Sequence, residues 1–282
     1  MKLSLDCLPC LLRQTLDTAR MVTDDPALQT RLIKESLAIL SVFDRYGTAP
    51  EIARDIHRMI KRIAAQPDPY RTMKNEHIAA ALQVLPTVRK LLQNEPDQLL
   101  AAIRAAAVGN LIDAGVFADI DVESTILEQI HSPFARCDID TLRSQLETAH
   151  TILIVGDNAG ESVFDRLLIE QLSRYTIYYA VKSKPIINDS TRSDAEASGL
   201  SQYAEIIESG CDSPGTLLQD ADEAFLKLFY KADIVISKGQ GNFEGLSDSG
   251  RPIFFLLKAK CAMIANRFEV AIGDNLFVFQ PV

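Results

Sequence analysis

No stretch of this sequence is both long and uncharged enough to cross a bilayer, so no membrane partner is expected. The opening Met1-Lys2-Leu3-Ser4-Leu5-Asp6 lacks the form of a secretory leader, because an acid and two cysteines interrupt the apolar stretch before any cleavage site. A cytoplasmic protein is the expectation. Positive charge is also short: 29 Lys and Arg stand against 38 Asp and Glu, a formal net charge of -9. Such a surface cannot displace counterions from duplex phosphates, so no nucleic-acid partner is expected. Anions remain possible ligands, since helix N-termini or a divalent cation can supply local positive charge.

Cysteine and histidine are too few for a stapled or zinc-built fold. Five cysteines, an odd number, read as reduced thiols, and only Cys7-Leu8-Pro9-Cys10 has suggestive spacing. A zinc site needs two further ligands, and His57, His77, His131 and His150 form no paired motif. A redox pair normally follows a strand, whereas this one stands at the start of a helical pattern. Thiols packed at the first turn of a helix are the plainer reading. Solenoid repeats, low-complexity tracts and a linker-like shift in composition are absent as well.

What is present divides into two halves. At 282 residues the chain is long enough for a substantial core. From Leu8 to about Leu146 the apolar spacing is helical, as in Leu11, Leu12, Leu16 and Ala19, and no strand-like run interrupts it. Asp24-Asp25-Pro26, Gln66-Pro67-Asp68-Pro69 and Glu95-Pro96-Asp97 read as turns into new helices. Residues 1–147 are therefore expected to form an all-helical bundle or cap. After His150 short β-rich runs alternate with helical stretches: Thr151–Val155, Thr176–Val181, Ala204–Glu208, Asp233–Ser237, Ile253–Leu257 and Leu276–Phe279. This alternation predicts an α/β domain over 148–282, Rossmann-like, with a mainly parallel sheet. Ligands bind such sheets beyond the carboxyl ends of the strands.

Three strand ends carry the candidate chemistry. Gly156-Asp157-Asn158-Ala159-Gly160-Glu161 offers a carboxylate and a carboxamide oxygen to a hard cation, with Glu161 at the helix start. A simple Asp/Asn helix cap is the alternative there. Pro185-Ile186-Ile187-Asn188-Asp189-Ser190-Thr191 adds a second carboxylate, Asp189, which a neighbouring parallel strand would bring to the same ion; an Asn-Asp turn opening a helix is its alternative. Lys238-Gly239-Gln240-Gly241-Asn242-Phe243-Glu244 reads as a lysine and glycine loop suited to an anion, and Lys258 ends the next strand. None of these is a GxxxxGK[ST] loop or a GxGxxG fingerprint. Asn110 and Asp113, three apart on a predicted helix, share a face that could reach the cleft; a helix break at Gly109 followed by a cap is the equal alternative.

Taken in order, GDNAGE, PIINDSTRSDA, KGQGNFE and LLKAK resemble the damage-control phosphatases, long called domain of unknown function 89. The resemblance spans the chain: Cys7-Leu8-Pro9-Cys10, typical of the prokaryotic branch, Asp68-Pro69-Tyr70 with Lys74, and the run from Arg104 to Asp113 share it. It implies a Rossmann-like domain under a helical one, and a phosphatase of small phosphorylated metabolites that depends on a divalent metal such as Mn, Ni, Co or Mg. Asp157, Asn158 and Asp189 match the metal ligands. Lys238, Gly239, Gln240, Gly241, Asn242 and Lys258 match the phosphate region, with Glu161 beside the metal. Gln240 and Glu244 depart from the eukaryotic branch, which has an acid and an arginine in that loop, and so bear on substrate choice. A covalent aspartyl route is disfavoured, since the residue two beyond Asp157 is Ala159 rather than the second acid of a DxD pattern. A noncatalytic phosphometabolite sensor and a nucleotide- or dinucleotide-binding enzyme are the rival readings.

Overall fold

The computed structural model describes residues 1–112, 128 and 130–282. Five helices come first: α1 (Cys7–Val22), α2 (Pro26–Leu40), α3 (Ala49–Ala64), α4 (Arg71–Leu92) and α5 (Gln98–Ile112). The proline turns start them as expected. Asp25 caps α2 by accepting from the Ala27 N–H at 3.0 Å, and Pro26 occupies the first helical position. Leu11, Ala19, Leu32, Ile52, Ile56 and Ile60 close the bundle formed by the first three. Among the described residues no helix is long and apolar enough to cross a membrane.

The remainder is an α/β unit. Its strands are β1 (Arg136–Cys137), β2 (Thr151–Val155), β3 (Thr176–Val181), β4 (Glu205–Glu208), β5 (Ile234–Lys238), β6 (Ile253–Lys258) and β7 (Asn275–Gln280). Its helices are α6 (Ile139–Leu146), α7 (Ser162–Gln171), α8 (Arg192–Ala197), α9 (Glu223–Lys231), α10 (Gln240–Leu246) and α11 (Ala262–Phe268). All six strands read from the sequence are present, each within one residue of the expected ends.

Two local expectations are corrected. The helical half does contain a strand, the two-residue β1, which pairs in parallel with β7 through Arg136↔Leu276 and Cys137↔Phe277. It and α6 lie before the division expected at 147, yet Ile139, Leu142 and Leu146 belong to the sheet's own core. The second correction concerns the glycine-rich stretch after β5. Only Gly239 intervenes between strand and helix; Gln240 to Leu246 are helical, not a loop.

The strand order is β1-β7-β6-β5-β2-β3-β4, parallel except where β7 runs against β6. Both faces are buried, which is why the strands read as unbroken apolar runs. Alternate residues Ile152, Ile154, Ile234, Ile236, Phe254 and Leu256 face α5, α6 and α7. Leu153, Val155, Val235, Phe255 and Leu257 face Phe225 and Phe229 of α9 and Phe243 of α10. The chain leaves β2 toward β3 and β4, then returns to β5 on the other side of β2. That reversal opens a crevice at the carboxyl ends of β2 and β5.

Candidate functional site

The predicted residues converge on this crevice. Asn158 and Asp189 face each other as an isolated antiparallel bridge, so the turns after β2 and β3 are zipped together. The Ser190 N–H donates to the Asp157 carbonyl at 2.7 Å, and the Ala159 N–H donates to the Asn188 carbonyl at 2.9 Å. The two helices that follow begin beyond these residues. Glu161 stands at the N-cap of α7 without a side-chain capping bond. Helix α8 is opened by Thr191, whose N–H and hydroxyl both donate to Asp194, not by Asp189. The third strand end abuts the first: a Cβ on Gly239, whose φ is +80°, would strike the Asp157 carboxylate.

Lys238 is wholly buried, not displayed in an open loop. Its ammonium donates to Asp165 Oδ1 at 2.6 Å and to the Ala106 carbonyl at 3.0 Å, and pairs with Glu161. Three donors thus have three protein acceptors. Tyr179 steadies the same carboxylate, its hydroxyl donating to Asp165 Oδ2 at 2.6 Å. Gly156 is required by this ring, because a Cβ there would stand 2.6 Å from the Tyr179 oxygen.

Asn242 is likewise committed inside the protein. Its amide nitrogen donates to the carbonyls of Gly156 at 2.9 Å and Lys238 at 2.8 Å, clamping the ends of β2 and β5. Its oxygen accepts from the Thr216 N–H, the Thr216 hydroxyl and, at 3.1 Å, Lys182. The side chain expected to orient substrate is therefore scaffold.

Lys182, which sequence reading passed over, stands one residue beyond β3 and 3.6 Å from Asp189 Oδ2. Its signal was available: like Lys238, it is a lysine at the carboxyl end of an apolar strand. Lys258 ends β6 half-buried. Asn110 falls in the last turn of α5, and Asp113 lies outside the described residues. The helical half also grips the site. Lys61 of α3 donates to the Pro185 carbonyl at 2.8 Å, at the head of the Asp189 turn, and Arg58 forks onto Asp212 at 2.6 and 2.8 Å.

Among the described residues four acidic side chains, Asp157, Glu161, Asp165 and Asp189, gather here with two lysines, Lys182 and Lys238, and all six are buried. Burial, with Asp165 and Asp157 nearby, raises the Glu161 carboxyl to about 8 against the pull of Lys238. The two acids beside Lys238 hold its ammonium charged, above the ordinary lysine value, despite burial. Among the described residues no three His, Cys, Asp or Glu side chains form a metal-holding group by themselves. A cation would therefore need the carboxamide of Asn158 and water beside the carboxylates. That is an all-oxygen set of the kind hard divalent ions accept.

Comparison with known proteins agrees with this geometry. The family model of the damage-control phosphatase ARMT1-like domain matches residues 3–276. A damage-control phosphatase of Pyrococcus horikoshii is 32% identical, with 97% of this chain and 96% of that protein covered. An uncharacterized protein of Methanocaldococcus jannaschii is 34% identical over 98% of this chain and 95% of its own. The crystal structure of a DUF89 family protein from P. horikoshii superposes with a TM-score of 0.89 at 30% identity, covering 99% of each chain.

Proposed function

Since the chain belongs to the damage-control phosphatase ARMT1-like domain family, we propose that it is a metal-dependent phosphatase of small phosphorylated metabolites. Cys7 and Cys10 suit the CxxC-bearing branch. The reading is supported above all by the backbone bridge that sets Asn158 opposite Asp189 and by the burial of both beside Asp157, which gathers oxygen donors at the β2/β5 crevice. Asp157, Asn158 and Asp189 would hold it, and Mn, Ni, Co or Mg would each suit the oxygen donors. When bound, such a cation supplies charge neutralisation to phosphoryl oxygens and acidifies a water.

The protein's own groups do the rest. The backbone bridge that sets Asn158 opposite Asp189 supports their serving one ion. Lys182 neutralises Asp189 from behind and is itself aimed by Asn242. Lys238 holds Glu161 and Asp165 at the floor of the site, and would lend its charge to a substrate phosphate bound above them. Gly239, Gln240, Gly241 and Lys258 frame the phosphate at the same strand ends.

Release of inorganic phosphate from a panel of phosphate esters, with each metal in turn, tests this reading. Turnover that requires added metal and disappears with chelator is expected. Tight ester binding without phosphate release would make the protein a sensor instead.

A further inference from the structure

Asp165 stands outside the proposed metal set, yet it is wholly buried in the first turn of α7 with both carboxylate oxygens engaged. Oδ1 accepts from Lys238 and Oδ2 from Tyr179, each at 2.6 Å. An acid in a first turn often complements the helix dipole, but that interaction serves equally well at the surface and does not require burial. Burying charges costs more in desolvation than their attraction returns unless the fit is close, and apolar residues of similar volume often stabilise a core at least as well. Stability alone is therefore a poor reason for a buried Asp165 beside a buried Lys238.

Neighbouring elements hold this pair in one arrangement. Tyr179 is wholly buried on β3, and Gly156, just past β2, leaves room for its ring. Burial and the Asp165 carboxylate push the Tyr179 hydroxyl well above its ordinary value, so it stays a donor to Asp165. From α5 the Ala106 carbonyl accepts from the Lys238 ammonium at 3.0 Å. Lys238 itself ends β5 directly before Gly239, which backs onto Asp157. The groups that aim the ammonium are thus different from those proposed to hold the metal.

We infer that Asp165 is a positioning residue of the site: seated by Tyr179, it aims the Lys238 ammonium at the phosphoryl group without touching the substrate. The inference rests on the phosphatase reading for the place of the phosphate. Aim and charge act with opposite sign. With the Asp165 charge removed, more of the ammonium's field reaches a bound anion, so a carboxylate acting through charge alone would be lost with tighter phosphate binding and no loss of rate. A carboxylate that aims the lysine is lost with a fall in kcat, because the ammonium then no longer stands where charge develops in the transition state.

Asp165→Asn removes the charge at constant size, and Tyr179→Phe removes only the hydroxyl that seats it. In metal-loaded protein acting on a phosphate ester, Asp165→Asn is expected to lower kcat about 10²-fold with KM unchanged or lower, the scale of a small misplacement. Tyr179→Phe, which keeps every charge and carries the same test should Asp165→Asn not fold, is expected to lower kcat about tenfold. Either change made in Lys238→Met should cost nothing further, since a residue acting through the lysine then has nothing to act on. Equal losses with and without the lysine overturn the inference, as does an unchanged or raised kcat in the two single variants. NMR of isotope-labelled lysine side chains reads the same positioning without turnover. The Lys238 ammonium signal, identified by its absence in Lys238→Met, should be sharp in the native protein, shift with inorganic phosphate and broaden in Asp165→Asn and Tyr179→Phe, while that of Lys74 persists. An unaltered Lys238 signal in both variants overturns the inference whatever the activity. If the signal behaves as expected and no ester is hydrolysed, the role of Asp165 stands and the phosphatase reading falls.

Discussion

Lys74 and Lys238 are both wholly buried and each meets two carboxylates, yet their surroundings differ in charge. Lys74 of α4 pairs with Asp68 at 3.0 Å and Asp194 at 2.8 Å, and Arg71 joins the same acids at 3.1 and 3.2 Å. Two cations face two anions, and the cluster closes on itself between α4 and α8. Lys238 instead meets Asp165 and Glu161, and burial raises the Glu161 carboxyl to about 8. A buried cluster of matched charges is a latch between the helices and the α/β unit. One that holds a carboxyl of raised pKa at a strand-end crevice is the better candidate for chemistry.

Removing a carboxylate proposed to hold the metal should have the largest effect. Asp157→Asn and Asp189→Asn are each expected to lower kcat by roughly 10³-fold, the upper range for losing one charge-stabilising group. Asp157→Asn should remain folded, whereas Asp189→Asn also leaves the buried Lys182 ammonium without its carboxylate and should lose some stability. Metal stoichiometry and initial rates measure this, and unchanged values in both variants would remove the site.

The two lysines can next be set against each other directly. Lys74→Met and Lys238→Met keep the volume but strand buried carboxylates, so each should lose about 3–5 kcal/mol in urea unfolding. Only Lys238→Met should also lose turnover per folded molecule. Equal retention of activity in the two would erase the distinction drawn between them.

His57 offers a third buried group, one with no charged partner to balance. Enclosed in α3, with Gln14 3.2 Å from its Nε2, it is pushed down to about 3 by burial and by Lys61. The unfolded chain takes up a proton near pH 6.5 that the folded protein refuses. Stability is therefore full above about pH 6.5 and declines as pH falls toward 3, by at most about 1.4 kcal/mol per unit. His57→Gln should flatten that acid limb, as read by unfolding curves at several pH values. A limb as steep as the native one would assign the loss to other groups.

Smallest of all should be Cys7→Ser with Cys10→Ser. Burial raises both thiols above their ordinary value, which disfavours the nucleophilic thiolate, so kcat should persist. Phosphate release by the folded double variant checks it; loss of kcat would show that α1 supplies chemistry.

The comparison also explains what was readable in the sequence. The strands were legible because burial on both faces demands continuous apolar runs, and Asp157 and Asn158 because they stand two and three residues past β2; Asp189, eight residues past β3, was legible only as a carboxylate in the turn before the next helix. Strand β1 was not: Arg136 and Cys137 are exposed, and what aligns them is distant backbone, the Ala135 and Asp138 N–H groups donating to Asn275 and Phe277. Helix α10 was masked by its glycines, which serve close packing instead of looping. A Cβ on Gly241 would collide with the Pro214 carbonyl, and one on Gly245 with that of Thr216. The engaged state of Lys238 and Asn242 was equally hidden, because their partners Asp165, Ala106 and Thr216 are supplied by other elements.

The strand order carries a consequence for how the protein reaches this state. Central strand β2 must wait for β5, whose Ile234 pairs with Ile152, before its second edge is covered, and β1 must wait for Leu276 of β7. Pairings of such sequence separation form late and slowly, because loop-closure entropy is lost before contacts compensate it. During synthesis that edge of β2 therefore waits uncovered until about eighty further residues have emerged, a period in which association with other chains competes with folding.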